Sequence, residues 1–396
     1  FVSTNVQKVC VDANMLSTAV GDIEGYAFQQ NNGSIRYPHW VFYVTDQLES
    51  MYDAQQIYRS GFTVYTTLDP ALQEQAEQIV KQQVLGLADR NVTDGALVAI
   101  RPNTGEILAM VGSADFYNEA ISGQVNMAIS PRQPGSSIKP LTYLAAFEKG
   151  WTPATLLWDV PSEFPPSGLA SDPSPKYAPV NYDGRFHGPV SVRSALANSY
   201  NIPAVKALEY VGIYDDPATA QKEGLISLAQ RLGIESLTRN DYGLALTLGG
   251  GEVTLLEMTG AFSVFANNGL QVPPVTITKI VDYQGKLVYQ YEPPAGEQVI
   301  RPEHAYLLSS ILSEVIATLR TVKSFCNSPM MAHAGCGRCP ICIIIGFPPP
   351  PKTGRELITP TTGFSGVTTR VIARVRSYSN RRSRVGWQNG IASLES

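Results

Sequence analysis

The apolar and polar positions of this chain fall into a regular pattern only from about residue 61 onward. Phe62-Thr63-Val64-Tyr65-Thr66-Thr67 is rich in β-branched and aromatic residues and predicts a strand. Asp69 follows as a helix N-cap, with Pro70 at the first helical position, where its missing N–H would be unpaired anyway. That helix carries Ala76, Ile79, Val80 and Val84 on one face. The apolar runs 96–100 and 107–111, joined by the turn Pro102-Asn103-Thr104-Gly105, predict a β-hairpin. Leu141, Leu144, Ala145 and Phe147 then form the apolar stripe of an amphipathic helix that Gly150 stops.

Residues 161–187 are loop-rich. Residues 191–205 read as a helix, with Val192, Ala195 and Leu196, that turns into a loop at Asn198-Ser199-Tyr200-Asn201 and Pro203. Thr254-Leu255-Leu256-Glu257 is a capping box opening a helix that packs Met258, Ala261, Phe262 and Phe265. Asn267-Asn268-Gly269 ends it. Residues 277–281 and 287–291 about Gln284-Gly285 predict a second hairpin, and residues 303–315 a further helix. Before residue 61 the signal is mixed: Trp40-Val41-Phe42-Tyr43-Val44 reads as a short strand and residues 46–52 as a short helix. Strand, helix, hairpin and helix in that order suggest a sheet whose strands frame a helix terminus.

With 396 residues the chain has room for two or three domains and a large core. Charged residues are sparse at 16%, against the usual quarter, yet the composition is globular. No apolar run reaches the length of a membrane span; the longest, Ile341-Cys342-Ile343-Ile344-Ile345, is cut off by Gly346 and a run of four prolines. The chain opens on Phe1 without a signal peptide, so the expectation is a fragment whose anchor or export signal lies upstream. Net charge changes along it. Residues 1–320 carry 20 basic and 32 acidic side chains, a balance of −12, whereas residues 321–396 carry 10 and 2, a balance of +8. Four of the five cysteines (Cys326, Cys336, Cys339, Cys342) lie in that last stretch.

The candidate chemistry begins at Pro134-Gly135-Ser136-Ser137-Ile138-Lys139-Pro140. A serine hydroxyl needs an adjacent base to act as a nucleophile, and three-residue spacing at a helix start puts the Lys139 amine on the Ser136 face. Lysine becomes that base when burial or neighbouring positive charge lowers its pKa. Ser199-x-Asn201 presents a hydroxyl and an amide on one turn; alone it is weak, since Ser3-Thr4-Asn5 matches it too. Lys352-Thr353-Gly354 is the third motif. The histidines (His39, His187, His304, His333) are scattered and form no His-x-x-x-His pair, so no metal or other cofactor is expected.

In this order the three motifs resemble those of penicillin-binding proteins and serine β-lactamases. The flanking residues 132–140, Pro179-Val180-Asn181-Tyr182-Asp183-Gly184, residues 195–201 and Leu248-Gly249-Gly250-Gly251-Glu252-Val253-Thr254 are similar to the transpeptidase domain of class A, bifunctional members. The resemblance covers residues 60–320. It implies an α+β fold, a central antiparallel sheet with helices on both sides, and a D,D-transpeptidase. Ser136 would attack the carbonyl of a D-Ala-D-Ala stem peptide, Lys139 would take its proton, Ser199 would relay a proton to the leaving D-alanine and Asn201 would hold the peptide amide. Lys352 and Thr353, with Gly354, would bind the terminal carboxylate of the stem peptide or of a β-lactam. The backbone N–H groups of Ser136 and Arg355 would form the oxyanion hole. Peptidoglycan stem peptides, β-lactams and cell-wall synthesis proteins are the implied partners. The implied location is the outer face of the bacterial membrane.

On this reading residues 1–60 are a linker or the remnant following a missing glycosyltransferase domain, residues 61–320 the transpeptidase domain, and residues 321–396 an aberrant end of it. The last segment departs from the family pattern. Pro348 to Pro351 precede Lys352, Arg355 replaces a small polar residue, and six arginines follow from Arg370 to Arg384 with no aspartate. Cys336-x-x-Cys339-x-x-Cys342 has metal-ligand spacing, but a bacterial ferredoxin run would need cysteine where Gly346 stands. A basic binding tail fits the charge and lacks interleaved aromatics, so no nucleic-acid partner is expected. A shifted reading frame after about residue 316 accounts for all the changes together and is the favoured reading. It makes a catalytically impaired penicillin-binding fragment the first alternative function, and it predicts a sheet left with an open edge. A serine β-lactamase or D,D-carboxypeptidase is the second; Glu235-Ser236-Leu237-Thr238-Arg239-Asn240 does not supply the Glu-x-x-Leu-Asn deacylation pattern of class A β-lactamases.

Overall fold

The computed structural model describes residues 35–88, 92–218 and 223–318, and six strands outside those ranges. Two compact units divide the chain, Phe1–Arg36 and Tyr37–Ser396. Within the first, Val2–Ser3 pairs antiparallel with Lys8–Val9. The second holds everything that follows.

It opens with helix α1 (Pro38–Met51), where a strand was expected at residues 40–44. Trp40, Val41, Val44 and Leu48 are buried along one helical face, and the aromatic, β-branched composition of the run had mimicked a strand. Strand β1 (Thr63–Thr66) and helix α2 (Pro70–Gly86) come next. The Asp69 carboxylate accepts hydrogen bonds from the N–H groups of Ala71 and Leu72, as its N-cap position predicts. The hairpin β2 (Asp94–Ile100) and β3 (Ile107–Val111) pairs Leu97 with Val111 and Ala99 with Ala109.

Alternation along this hairpin divides the core. Leu97, Ala99, Ala109 and Val111 pack against Ala76 and Val80 of α2. Ala96, Val98, Ile100, Ile107 and Met110 face the opposite way, into the main core. Helix α3 (Lys139–Glu148) lies in that main core with nine of its ten residues buried, so it is a central helix buried beyond the single apolar stripe expected. The two-stranded pair β4 (Leu156–Asp159) and β5 (Gly188–Ser191) brackets the loop-rich region.

Helix α4 (Val192–Ala197) is followed by a second helix, α5 (Asn201–Val211), where the loop was expected to continue. Pro203 falls in the first turn of α5, where no intrahelical bond is lost. The Thr254–Glu257 capping box opens α6 (Leu255–Ala266), which packs on β2 across the sheet from α2. The second hairpin is β6 (Ile277–Val281) and β7 (Leu287–Gln290), and α7 (Pro302–Thr318) packs against α3, α4 and α6.

Four more strands come from beyond residue 320: β8 (Ile341–Phe347), β9 (Thr369–Ala373), β10 (Ser383–Gln388) and β11 (Ile391–Glu395). They complete two sheets, of order β9-β8-β2-β3 and β7-β6-β1-β10-β11. All pairings are antiparallel, with Ile343 opposite Val98 and Val385 opposite Val64. The sheet therefore does not end in the open edge at β2 that the aberrant composition suggested. Antiparallel strands clad by helices on both faces agree with the expected fold.

Candidate active site

Ser136 sits in a 3-10 turn, Gly135–Ile138, that leads directly into α3. Gly135 has φ +57°, and the Ser137 hydroxyl donates to the Pro134 carbonyl at 2.7 Å, closing the turn. The Lys139 N–H in turn donates to the Ser136 carbonyl. Side chains three apart eclipse in 3-10 geometry, so Ser136 and Lys139 share a face more strictly than in an α-helix. Their exposure differs completely: Ser136 is exposed, whereas Lys139 is 0% exposed.

Lys139 Nζ donates to the Ser199 carbonyl at 2.6 Å, Ser199 Oγ at 3.2 Å and Asn201 Oδ1 at 2.7 Å. These three acceptors match its three protons. Ser136 Oγ is not among them; the amine reaches across to the Ser199 turn and not back to its own. All three acceptors are neutral oxygens, and desolvation by burial lowers the Lys139 pKa to about 7. The nucleophile–base pairing expected from spacing thus becomes a three-sided constellation in which Lys139, Ser199 and Asn201 meet.

The Ser199 turn is shaped by the helices that flank it. Ser199 has φ +56°, a left-handed conformation uncommon for a residue with a Cβ. Its N–H and that of Tyr200 donate back to Leu196 and Ala195 as α4 ends. Asn201 opens α5; its Nδ2 donates to the Val180 carbonyl at 2.7 Å, which turns its Oδ1 toward Lys139. A second stretch of backbone approaches the Ser136 turn. Gly249, at φ +97°, approaches so closely that an added Cβ would lie 2.4 Å from the Gly135 nitrogen. Thr142 and Thr247 share a buried hydrogen bond of 2.8 Å, and Arg132 and Val253 exchange both backbone bonds at 2.9 Å. Strand β9 borders the Ser136 turn. Lys352, Thr353, Gly354 and Arg355 lie outside the described residues.

Below the Ser199 turn is a polar cluster that residue spacing did not reveal. Asn181 Oδ1 accepts the Asn201 N–H at 2.7 Å. Its Nδ2 donates to both Asp159 oxygens, at 3.0 and 2.8 Å, and to the Arg185 carbonyl at 2.8 Å. Asp159 is fully buried and also takes the His187 N–H at 3.0 Å and His187 Nδ1 at 2.7 Å. The other His187 ring nitrogen meets Asp183 at 3.1 Å, and its ring stacks on Tyr200 at 4.0 Å between centroids. Tyr143, one helical turn beyond Lys139, has its phenol pKa raised by burial first and by the Asp159 charge second. The resemblance of residues 179–184 pointed to this loop; the Asn181 partners Asn201 and Asp159 lie 20 and 22 residues away.

A helix-clad antiparallel sheet with this exposed serine turn at the head of its central helix is the fold of a transpeptidase. The chain belongs to the penicillin-binding protein transpeptidase family, whose domain matches residues 95–321. It is 32% identical over 260 residues to penicillin-binding protein 2D of Bacillus subtilis, covering 65% of this chain and 34% of that protein. It is 35% identical over 226 residues to penicillin-binding protein 1A of Neisseria meningitidis, covering 56% and 26%. The chain thus matches about a third of the length of the first of these curated relatives and about a quarter of the second. Among solved structures, penicillin-binding protein 1A from Haemophilus influenzae superposes with TM-score 0.62 at 20% identity, over 79% of this chain and 64% of the other. The PonA1 protein from Mycobacterium tuberculosis in complex with penicillin V gives 0.58 at 19%, over 78% and 80%. The class A resemblance read from the motifs holds.

Proposed function

We propose that the chain is the transpeptidase module of a class A penicillin-binding protein, a serine acyltransferase that cross-links peptidoglycan stem peptides and is acylated by β-lactams. The observation that carries this reading is the buried Lys139 amine, its pKa lowered to about 7, one 3-10 turn after exposed Ser136 and hydrogen-bonded to Ser199 and Asn201. Lys139 in its neutral form takes the Ser136 hydroxyl proton as Oγ attacks the carbonyl of the penultimate D-alanine. The tetrahedral oxyanion collapses with cleavage of the peptide C–N bond. The proton reaches the departing D-alanine amine through the Ser199 hydroxyl, which Lys139 Nζ contacts. An amine from a neighbouring stem peptide then displaces Ser136 and restores its hydroxyl. Asn201 aligns the donor peptide, its Oδ1 held by Lys139 and its Nδ2 by Val180. Lys352 and Thr353 recognise the terminal carboxylate on this reading, and an upstream anchor holds the module on the outer face of the membrane. Among the described residues no helix is long and apolar enough to cross a membrane.

The test is labelled penicillin with mass spectrometry of the intact protein. A long-lived adduct on Ser136, absent from Ser136→Ala, is the expected result. Rapid turnover of the adduct would instead identify a β-lactamase, and no adduct an inactive domain.

A further inference from the structure

We propose that Asp159 and Asn181 are positioning residues that set the hydrogen-bond polarity of the Ser199-Tyr200-Asn201 turn. The proposal rests on the acylation reading of Ser136. Its logic is that of donors and acceptors. An ionised carboxylate only accepts, so both Asp159 oxygens require the NH2 end of the Asn181 amide. The amide oxygen is thereby forced outward, onto the Asn201 N–H at 2.7 Å. That N–H is one of the free donors at the start of α5, so accepting it fixes where the helix begins. A reversed Asn181 would set two donors against each other at Asn201 and two acceptors against each other at Asp159.

A second tie runs from the same carboxylate. Asp159 holds His187 through its backbone N–H and Nδ1, and the His187 ring stacks on Tyr200 within 15° of parallel. Both the residue between Ser199 and Asn201 and the backbone of Asn201 itself are therefore referred to one buried anion. Val180, adjacent to Asn181, orients the Asn201 side chain. The strand bearing Asp159 is fastened to α5 as well, since Lys206 Nζ donates to the Trp158 carbonyl at 2.7 Å. Neither Asp159 nor Asn181 is a hydrogen-bond partner of Ser136 or Lys139, so their effect passes through Asn201 and the turn.

The test is a polarity swap in the full chain, read by the saturation kinetics of acylation with labelled penicillin and expressed per titratable site. Asp159→Asn is isosteric and removes the constraint on the Asn181 amide. Asn181→Asp sets two carboxylates face to face. Each is expected to lower the first-order acylation constant by about tenfold or more, with the binding constant changed by less than about twofold. Asp159→Asn combined with Asn181→Asp restores one donor facing one acceptor and an oxygen toward Asn201, while the Arg185 carbonyl loses its donor. It is expected to acylate faster than the slower single variant. Single variants with wild-type constants, single variants that lose only labelled fraction, or a double variant no faster than the slower single would each overturn the proposal. A wild-type chain without label on Ser136 would refute the acylation reading, and the positioning role with it.

Discussion

At the scale of single residues Lys139 stands apart, because its environment withholds any countercharge. Its hydrogen-bond partners are a carbonyl, a hydroxyl and an amide oxygen, which satisfy its protons without an anion to hold the charge. Burial then favours the neutral amine, and the pKa falls from 10.5 to about 7. The acylation rate with penicillin should rise through about pH 7 and level off above it, as the free base accumulates. Lys139→Met should lower that rate by about 10²- to 10⁴-fold. Lys139→Arg should not recover it, since a guanidinium keeps its proton. Stability carries the same signature. Between pH 7 and 10.5 the unfolded chain holds a proton on Lys139 that the folded chain has released. Unfolding takes up that proton, so the wild type gains stability as pH rises across this window, and the gain is lost in Lys139→Met. Urea unfolding of the two proteins across the window measures the difference; parallel curves would contradict the assignment.

The elements that hold Ser136 work by close backbone approach. The segment around Gly249 is pressed against Gly135, and only a residue without a Cβ fits there at φ +97°. Gly249→Ala should destabilise the protein by about 1–3 kcal/mol and slow acylation by displacing the turn. Gly285→Ala, in the β6–β7 turn, is the control: it also has positive φ but meets nothing within 4 Å, so it should leave the Ser136 rate near wild type. Thermal melts and penicillin labelling of both variants separate the close approach from the dihedral cost. These elements also show what the sequence makes legible. Caps at Asp69 and Thr254 and the shared turn of Ser136 and Lys139 are local, so neighbours in the chain encode them. The strand expected at residues 40–44 is part of a helix because burial of Trp40 and Val44 in the core overrides a β-rich composition. Pro203 reads as a breaker until its place in the first turn of α5 is known. The Asp159–Asn181–Asn201 chain joins β4, a loop and a helix start, and only the fold brings them together.

Across the whole molecule, the segment after residue 320 is unlike the rest in charge and composition, yet it supplies two strands to each sheet. β8 pairs with β2 at seven positions, and β10 pairs with β1 at four. β2 is buried along its whole length. Its apolar faces are covered by α2 and α6, so what β8 contributes is partners for the outward row of N–H and C=O groups. An unpaired apolar edge of this length invites association with other chains. A chain ending at residue 320 should therefore melt at a lower temperature and form oligomers on size-exclusion chromatography. Its amides at residues 95–99 should exchange faster, while those of α3, which packs on α5 and α7, keep more of their protection. Equal melting temperatures and equal exchange in the two chains would mean that β8 and β10 add nothing to the sheets. The segment's unusual composition would then reflect a tail unconnected to the transpeptidase core.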